Sequence, residues 1–410
     1  MESSIKVILE PKSKGLSDCP GYKFAATSVD IRDNKSSQLD LAIIVGDKSL
    51  KSAGVFTLND VKAAPVVLSM NVLEESAESI GGIVINSGNA NACTGHQGLA
   101  DAKEMSTSAQ VCSNIGFPFY VCSTGRIGRK LPINKICEGI DTCSKALNNS
   151  EANSEDVAKA ILTSDTLIKQ ETARIIYNDQ TFTIAGIAKG AGMIDPNMAT
   201  MLAFIVTDLD GTHINLQKSL SQANSKSFNS ISIDGDMSTN DTVLLLANGD
   251  AEVDFSCDKN LQKAFDQALE KVCHNLAQKI VSDGEKITKV VTLKIQGCTS
   301  TQTAEKIARS IGTSLLVKTS FYGSDPNWGR IVDAAGYAKA GININKLDLD
   351  YETIPVLRAG IPQEHHAKQW KEIVSKKNFS IHLNLNQGSS KYTFTTTDLS
   401  EAYVTFNKSE

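Results

Sequence analysis

The stretch that most restricts this 410-residue chain lies near its middle. It reads Lys189-Gly190-Ala191-Gly192-Met193-Ile194-Asp195-Pro196-Asn197-Met198-Ala199-Thr200, followed by Met201-Leu202-Ala203-Phe204-Ile205-Val206. Glycine permits close approaches and backbone conformations that a side chain forbids. Asp-Pro-Asn is a strong turn signal, because proline presets φ and Asp and Asn bond to their own backbone. The apolar run behind them has the character of a buried strand. A threonine therefore stands where a turn enters that strand. A Gly-rich loop capped by a strand is the plainest reading of the same residues.

The chemistry of Thr200 sharpens the alternative. A threonine hydroxyl is a poor nucleophile at neutral pH without a base in hydrogen-bond reach, and no histidine lies nearby in the sequence. Cleavage of the Ala199–Thr200 peptide bond would supply one internally. The freed α-amino group titrates near pH 8 and sits beside its own Oγ, so it can accept the hydroxyl proton. The preceding turn offers that bond to attack. Elsewhere, Cys122-Ser123-Thr124-Gly125-Arg126-Ile127-Gly128 sets a hydroxyl beside a glycine N–H. Together these make a compact pair of donors for a developing oxyanion.

Three further loops share this small, polar character: residues 85–95, residues 234–241 ahead of an apolar run at 243–246, and residues 322–330. Taken singly, each is explained by turn geometry at a strand end. None is a phosphate-cradling loop, and no G-x-G-x-x-G follows a strand and opens a helix.

Composition narrows the function classes. A net charge of −5 and no long Lys/Arg run argue against nucleic acid and for a small ligand. The nine cysteines include no C-x-x-C pair, and the six histidines show no H-x-x-x-H spacing, so no metal site is expected. Reduced, mostly buried thiols fit a reducing compartment. The N-terminus lacks an apolar signal core and no run approaches membrane-spanning length, so a cytoplasmic protein without membrane contact is expected.

Along the chain, short apolar runs at 41–45, 55–58, 65–68, 83–85 and 117–122 flank helix-like stretches at 99–115 and 133–147. A polar run at 148–151 reads as a surface loop. Leu261, Ala264, Phe265, Ala268, Leu269, Val272, Cys273 and Leu276 recur at helical spacing. Residues 287–295 read as a strand and 303–311 as a helix. Residues 380–385 and 391–396 alternate like a half-exposed hairpin about Asn386-Gln387-Gly388. The fold class is mixed α/β, an α+β arrangement with substantial antiparallel sheet. A chain of this length implies two domains or two closely packed halves.

The 189–202 segment resembles the self-cleavage signature of the ornithine acetyltransferases, the glutamate N-acetyltransferases of arginine biosynthesis. Residues 61–66, 85–95, 227–229, 234–246, 317–319 and 325–330 resemble the family's other motifs in their order, so the resemblance spans essentially the whole chain. It implies a layered helix–sheet–sheet–helix core. It also implies a precursor that cuts itself into an α chain, 1–199, and a β chain, 200–410, which stay associated, two of each.

Carried over by residue, Ala199 and Thr200 flank the cleavage point, and Thr200 is both cleavage nucleophile and acetyl acceptor. Thr124 and Gly125 match the oxyanion hole. Thr163, Lys189, Thr200, Glu285 and Asn407 match the substrate-binding positions. Glu285 would pair with a substrate ammonium and Lys189 with a carboxylate or carbonyl. The implied reaction moves the acetyl group from N-acetylornithine to glutamate without a cofactor, with acetyl-CoA a candidate second donor. Arg126 beside the hole and Lys286 after Glu285 depart from the family pattern, and the family's terminal Ser/Thr contact has no counterpart after Asn407. Two other functions use the same residues: an N-terminal-nucleophile aminopeptidase or amidohydrolase that passes the acyl group to water, and a non-catalytic small-molecule binder.

Overall fold

The computed structural model describes residues 5–35, 37–177, 180–195, 201–211, 214–251 and 259–409. The chain forms two compact units that interleave in sequence. One comprises Met1–Gly190, Asn197–Asn229 and Met237–Ile280; the other comprises Ala191–Pro196, Ser230–Asp236 and Val281–Glu410.

The first unit contains, in order, β1 (Ile5–Leu9), β2 (Tyr22–Thr27), β3 (Leu41–Phe56), α1 (Ala64–Ser76), β4 (Ile80–Asn86), α2 (Gly95–Cys112), β5 (Phe119–Ser123), α3 (Ile133–Lys145) and α4 (Glu151–Ala160). It continues through β6 (Lys169–Tyr177), β7 (Gln180–Lys189), β8 (Leu202–Leu209), α5 (Leu216–Ser225), β9 (Thr242–Ala251) and most of α6 (Lys259–Ser282). The 9-stranded sheet runs β1-β6-β7-β8-β9-β3-β4-β5, with β2 also on β3. Parallel pairs, β8 with β9 and β4 with β5, are mixed with antiparallel ones.

The long strand β3 makes this sheet fold over itself. Its first residues lie between β2 and β4, and its last, Lys51 to Phe56, pair with β9. Between them the register slips and Gly46 allows a corner, where a Cβ would come within 2.5 Å of the Leu50 side chain. Phe24, Ile44, Ile83 and Ile85 of one layer thereby share a core with Ala185, Ile187, Leu202, Phe204, Val206 and Leu246 of the other. On the outer side of the first layer, Ala102, Met105, Ala109, Ile136 and Ile140 of α2 and α3 cover Ile43, Val84 and Val121. On the outer side of the second, Gly186 lets α6 approach, since a Cβ there would lie 3.0 Å from Leu276. The order is helix, sheet, sheet, helix, as the family resemblance implied.

This layering explains the central apolar run. Every residue of β8 is buried, because one face meets the opposing sheet and the other lies on the α6 side. A strand covered on both faces needs continuous rather than alternating hydrophobicity. Each large apolar side chain so buried contributes roughly 1.5–3 kcal/mol. The 65–68 run, by contrast, opens α1 instead of forming a strand, with Pro65 where a missing N–H costs nothing. At 148–151, Asn148 exchanges backbone bonds with Phe24, and Ser150 caps α4.

The second unit contains β10 (Val290–Cys298), α7 (Thr301–Gly312), α8 (Leu315–Tyr322), α9 (Trp328–Tyr337), β11 (Asp348–Tyr351), β12 (Ile354–Arg358), β13 (Ile361–Pro362), α10 (Ala367–Val374), β14 (Asn378–Asn384), β15 (Ser390–Thr397) and α11 (Glu401–Phe406). Its 6-stranded sheet runs β13-β12-β11-β14-β10-β15. Ala304, Ile307, Ala308 and Ile311 form the apolar stripe that α7 lays on Val291, Leu293 and Ile295.

The expected hairpin of 380–385 and 391–396 is not formed. Both strands exist, but β10 lies between them, parallel to β14 and antiparallel to β15. The connecting turn straddles the end of β10: Leu385 and Gln387 N–H donate to Gln296 and Gly297 carbonyls, and Gly388 packs on Cys298. An apolar strand such as β10 gains from pairing both edges, and alternation within 380–396 cannot reveal an inserted partner. The strand also starts at Val290 rather than 287, because a turn closes from Gly284 to Ile287, with Lys286 at φ 54°.

Candidate functional site

Strand register brings the ends of several elements of the first unit together. Lys189, the last residue of β7, is opposite Leu202, the first of β8, and Leu202 is opposite Thr242, the first of β9. Ala199 and Thr200 themselves lie outside the described residues. The chain directly after them is held, since Met201 N–H donates to Asp241 Oδ1 at 3.0 Å.

From the other layer, β5 ends in Ser123 and delivers Thr124. Lys189 Nζ donates to Thr124 Oγ1 at 3.1 Å, and both residues are buried. Gly125 follows with φ 128°, where any Cβ would lie 2.3 Å from the Gly88 carbonyl carbon. Both conditions require glycine. Thr124 and Gly125 are thus rigidly placed beside the 85–95 loop, while Gly125 and Arg126 are exposed.

Buried asparagines build that rigidity. Asn240 Nδ2 donates to the carbonyls of Ala90 at 2.6 Å and Ser123 at 2.9 Å. Asn86 accepts from Ser123 Oγ at 2.6 Å and donates to the Asn89 carbonyl. The 85–95 loop and Asn240 therefore act as a frame for Thr124. Replacing Asn240 with alanine strands two buried carbonyls; a loss of about 1–3 kcal/mol is expected, read as a lower urea midpoint.

Sequence reasoning missed the ionisable groups beneath this frame. Asp165 has a fully buried side chain; its Oδ1 accepts from Lys169 Nζ at 2.7 Å and from Gly190 N–H at 2.6 Å. Its Oδ2 accepts from Thr163 N–H at 3.2 Å, which ties that candidate binding residue to the Lys189 segment. Burial works to raise the Asp165 carboxyl, but the charges of Lys189 and Lys169 and the Lys169 and Gly190 bonds outweigh it, leaving it below its ordinary value. Asp241 is the opposite case. Burial pushes it well above the carboxylate range, against the Met201 N–H and the Lys189 charge. Among the described residues its Oδ2 has no hydrogen-bond partner. Neither group belongs to a motif with a chemical name, and only the meeting of β5, β6, β7 and β9 reveals them.

The remaining candidates lie in the second unit. Met193 and Ile194 N–H donate to the two oxygens of Asp234, at 2.6 and 2.8 Å, and Glu285 N–H donates to the Ala191 carbonyl. Gly192 leaves the space that the Glu285 carboxylate needs, because a Cβ there would lie 2.5 Å from it. If Glu285 pairs with a substrate ammonium, as the family resemblance implies, Gly192→Ala is expected to push that flexible carboxylate aside, leaving the melting temperature unchanged and cutting kcat/KM for acetylornithine about tenfold or more, the worth of one charge-assisted bond. Lys286 Nζ lies 5.0 Å from the Phe406 ring centre. Asn407 is exposed at the end of α11 and donates to the Tyr403 carbonyl at 3.0 Å. The 322–330 loop is structural: Asn327 caps α9, and Arg330 donates to the Leu316 carbonyl.

Among the described residues no group of His, Cys, Asp and Glu has the arrangement of a metal site, and no helix is long and apolar enough to cross a membrane. The site offers a buried lysine, a buried hydroxyl and an exposed glycine beside the entry to β8, a set suited to acyl transfer.

Known proteins point the same way. The model of the ArgJ family matches residues 23–409. The arginine biosynthesis bifunctional protein ArgJ of Geobacter sulfurreducens is 41% identical over 94% of this chain and 98% of its own length. The protein of that description from Candida albicans, termed mitochondrial, is 42% identical over 92% of this chain and 90% of its own. A crystal structure of the Mycobacterium tuberculosis ornithine acetyltransferase complexed with ornithine is 30% identical, with a TM-score of 0.41 over 47% of this chain and 98% of that one. The chain belongs to the ArgJ family.

Proposed function

We propose that Thr200 carries the acetyl group in the reaction of this enzyme, an ornithine acetyltransferase that moves the acetyl group of N2-acetyl-L-ornithine to L-glutamate. Cleavage at Ala199–Thr200 divides the precursor into 1–199 and 200–410 and frees the α-amino group of Thr200. That amine takes the hydroxyl proton as Oγ attacks the acetyl carbonyl. The Thr124 hydroxyl and Gly125 N–H hold the resulting oxyanion. Ornithine leaves with the proton, glutamate attacks the acetyl ester through its amine, and N-acetylglutamate departs.

The observation that carries this reading is the 3.1 Å bond from Lys189 Nζ to Thr124 Oγ1, beside a Gly125 that tolerates no side chain. It supports a fixed pair of oxyanion donors near the strand that residue 200 enters. Thr163, Lys189, Glu285 and Asn407 bind the amino-acid parts of the substrates. The two chain pieces stay associated because β7 and β8, on either side of the cut, are paired strands sharing one core. Two copies of each make the working enzyme, and acetyl-CoA serves as a second donor.

The test is a denaturing gel with N-terminal sequencing, together with donor assays. Two bands are expected, the C-terminal one beginning at Thr200, with ping-pong transfer from acetylornithine to glutamate. A single full-length band removes the nucleophile. Acetate released at the same rate without glutamate replaces the transferase with a hydrolase. Glutamate-independent failure of acetyl-CoA as donor restricts the enzyme to acetylornithine.

A further inference from the structure

Two buried lysines face one buried carboxylate in the first unit. Lys169 is opposite Ala188 in the β6–β7 ladder and so flanks Lys189. Asp165 lies within the electrostatic reach of both. On the far side of Lys189 lies Asp241, whose burial favours the protonated, uncharged form. Asp165 is ion-paired with Lys169 at 2.7 Å, and its charge also acts on Lys189.

The charge on Lys189 has a directional consequence. An ammonium has only donors, so in the Lys189–Thr124 bond Oγ1 accepts. The Thr124 proton must then point elsewhere, away from Lys189. Were Lys189 a neutral amine, its lone pair would compete for the Thr124 proton, and the hydroxyl would no longer be held as a donor to the oxyanion.

We propose that Asp165 is a positioning residue for acetyl transfer: by keeping Lys189 protonated, it turns the Thr124 hydroxyl proton toward the oxyanion. This rests on the reading of Thr124 and Gly125 as the oxyanion hole. Asp165 touches no reacting atom. It acts through Lys189, with Gly190 N–H fixing the backbone and Thr163 N–H fixing the adjoining loop on the same carboxylate.

The sign of the pH effect follows. Removing the carboxylate charge leaves two ammonium groups in a poorly solvated interior, which lowers the pKa of Lys189. Activity should then fail on the alkaline side at lower pH. The experiment is the pH profile of kcat for acetylornithine-to-glutamate transfer in wild type and Asp165→Asn, with self-cleavage and melting temperature recorded for both. The alkaline loss is expected to move down by about one pH unit or more, a tenfold lower rate in the alkaline range. A folded, cleaved variant whose rate falls equally at all pH values overturns the proposal, as does an unchanged profile.

Should Asp165→Asn not fold, 13C-lysine NMR of the wild type decides, with Lys189 assigned by its absence in Lys189→Arg. A Lys189 that stays charged above pH 9 supports the proposal; one that titrates between pH 7 and 9 overturns it. Wild type that neither cleaves nor transfers would instead remove the underlying transferase reading. A Thr124→Ala enzyme with wild-type rates would remove the oxyanion hole alone.

Discussion

Thr200→Ala leaves the chain as one full-length band and abolishes transfer, while the melting temperature stays close to that of the uncut precursor. In the proposed mechanism the side chain removed is the nucleophile of both events. Its loss should not unfold the protein, because β8 begins beyond it at Leu202 and is held by β7 and β9. The Asp241 bond to Met201 N–H is likewise untouched. The measurement is the band pattern after prolonged incubation, together with acetyl transfer followed by mass spectrometry of N-acetylglutamate. A cleaved Thr200→Ala protein, or transfer above about one-thousandth of wild type, would move the nucleophile elsewhere.

The second large effect is at Thr124. Its hydroxyl is worth a factor of about 10²–10³ in kcat if it donates to the oxyanion, the usual worth of one such donor in a preorganised site. Two features raise the expectation here. The hydroxyl is buried, so water is a poor substitute, and Lys189 Nζ already occupies its acceptor side at 3.1 Å. Thr124→Ala removes the donor and also deprives the Lys189 ammonium of an acceptor. KM for acetylornithine should change less than kcat, because the oxyanion exists only along the reaction path. Thr124→Ser, which keeps the hydroxyl, should recover most of the rate. A loss below about threefold for Thr124→Ala would take this residue out of the oxyanion hole.

Much of the architecture was legible because it follows from local rules. The eight apolar residues from Leu261 to Leu276 at helical spacing gave α6, and the stripe within 303–311 gave α7. The continuous apolar run at 201–206 announced a strand covered on both faces, which β8 is. Where long-range pairing decided the outcome, local patterning failed. Alternation at 380–385 and 391–396 correctly marked two strands, yet β10 separates them, and nothing within those residues encodes a third partner.

The candidate site divides in the same way. Thr124, Gly125 and Lys189 stood out from their motifs, and the fold brings Thr124 and Lys189 into contact across 65 positions of sequence. Asp165 and Lys169 did not stand out, and Asp241 did so only as the last residue of the 234–241 loop. A lone aspartate in a polar loop looks like a turn residue, and a lysine in a strand looks solvent-facing, until burial gives their charges consequence.

From the sequence alone came the candidate nucleophile, its need for an internal base, and the proposal of Ala199–Thr200 as the cleavage point, since these rest on properties of adjacent atoms. Tertiary structure alone decided which charges lie beneath that chemistry. The carboxyl of Asp165 is lowered and that of Asp241 raised because one is buried against two ammonium groups, whereas for the other burial outweighs its hydrogen bonds and the Lys189 charge. Such differences depend on distance and solvent exclusion, which arise only when separate strands meet.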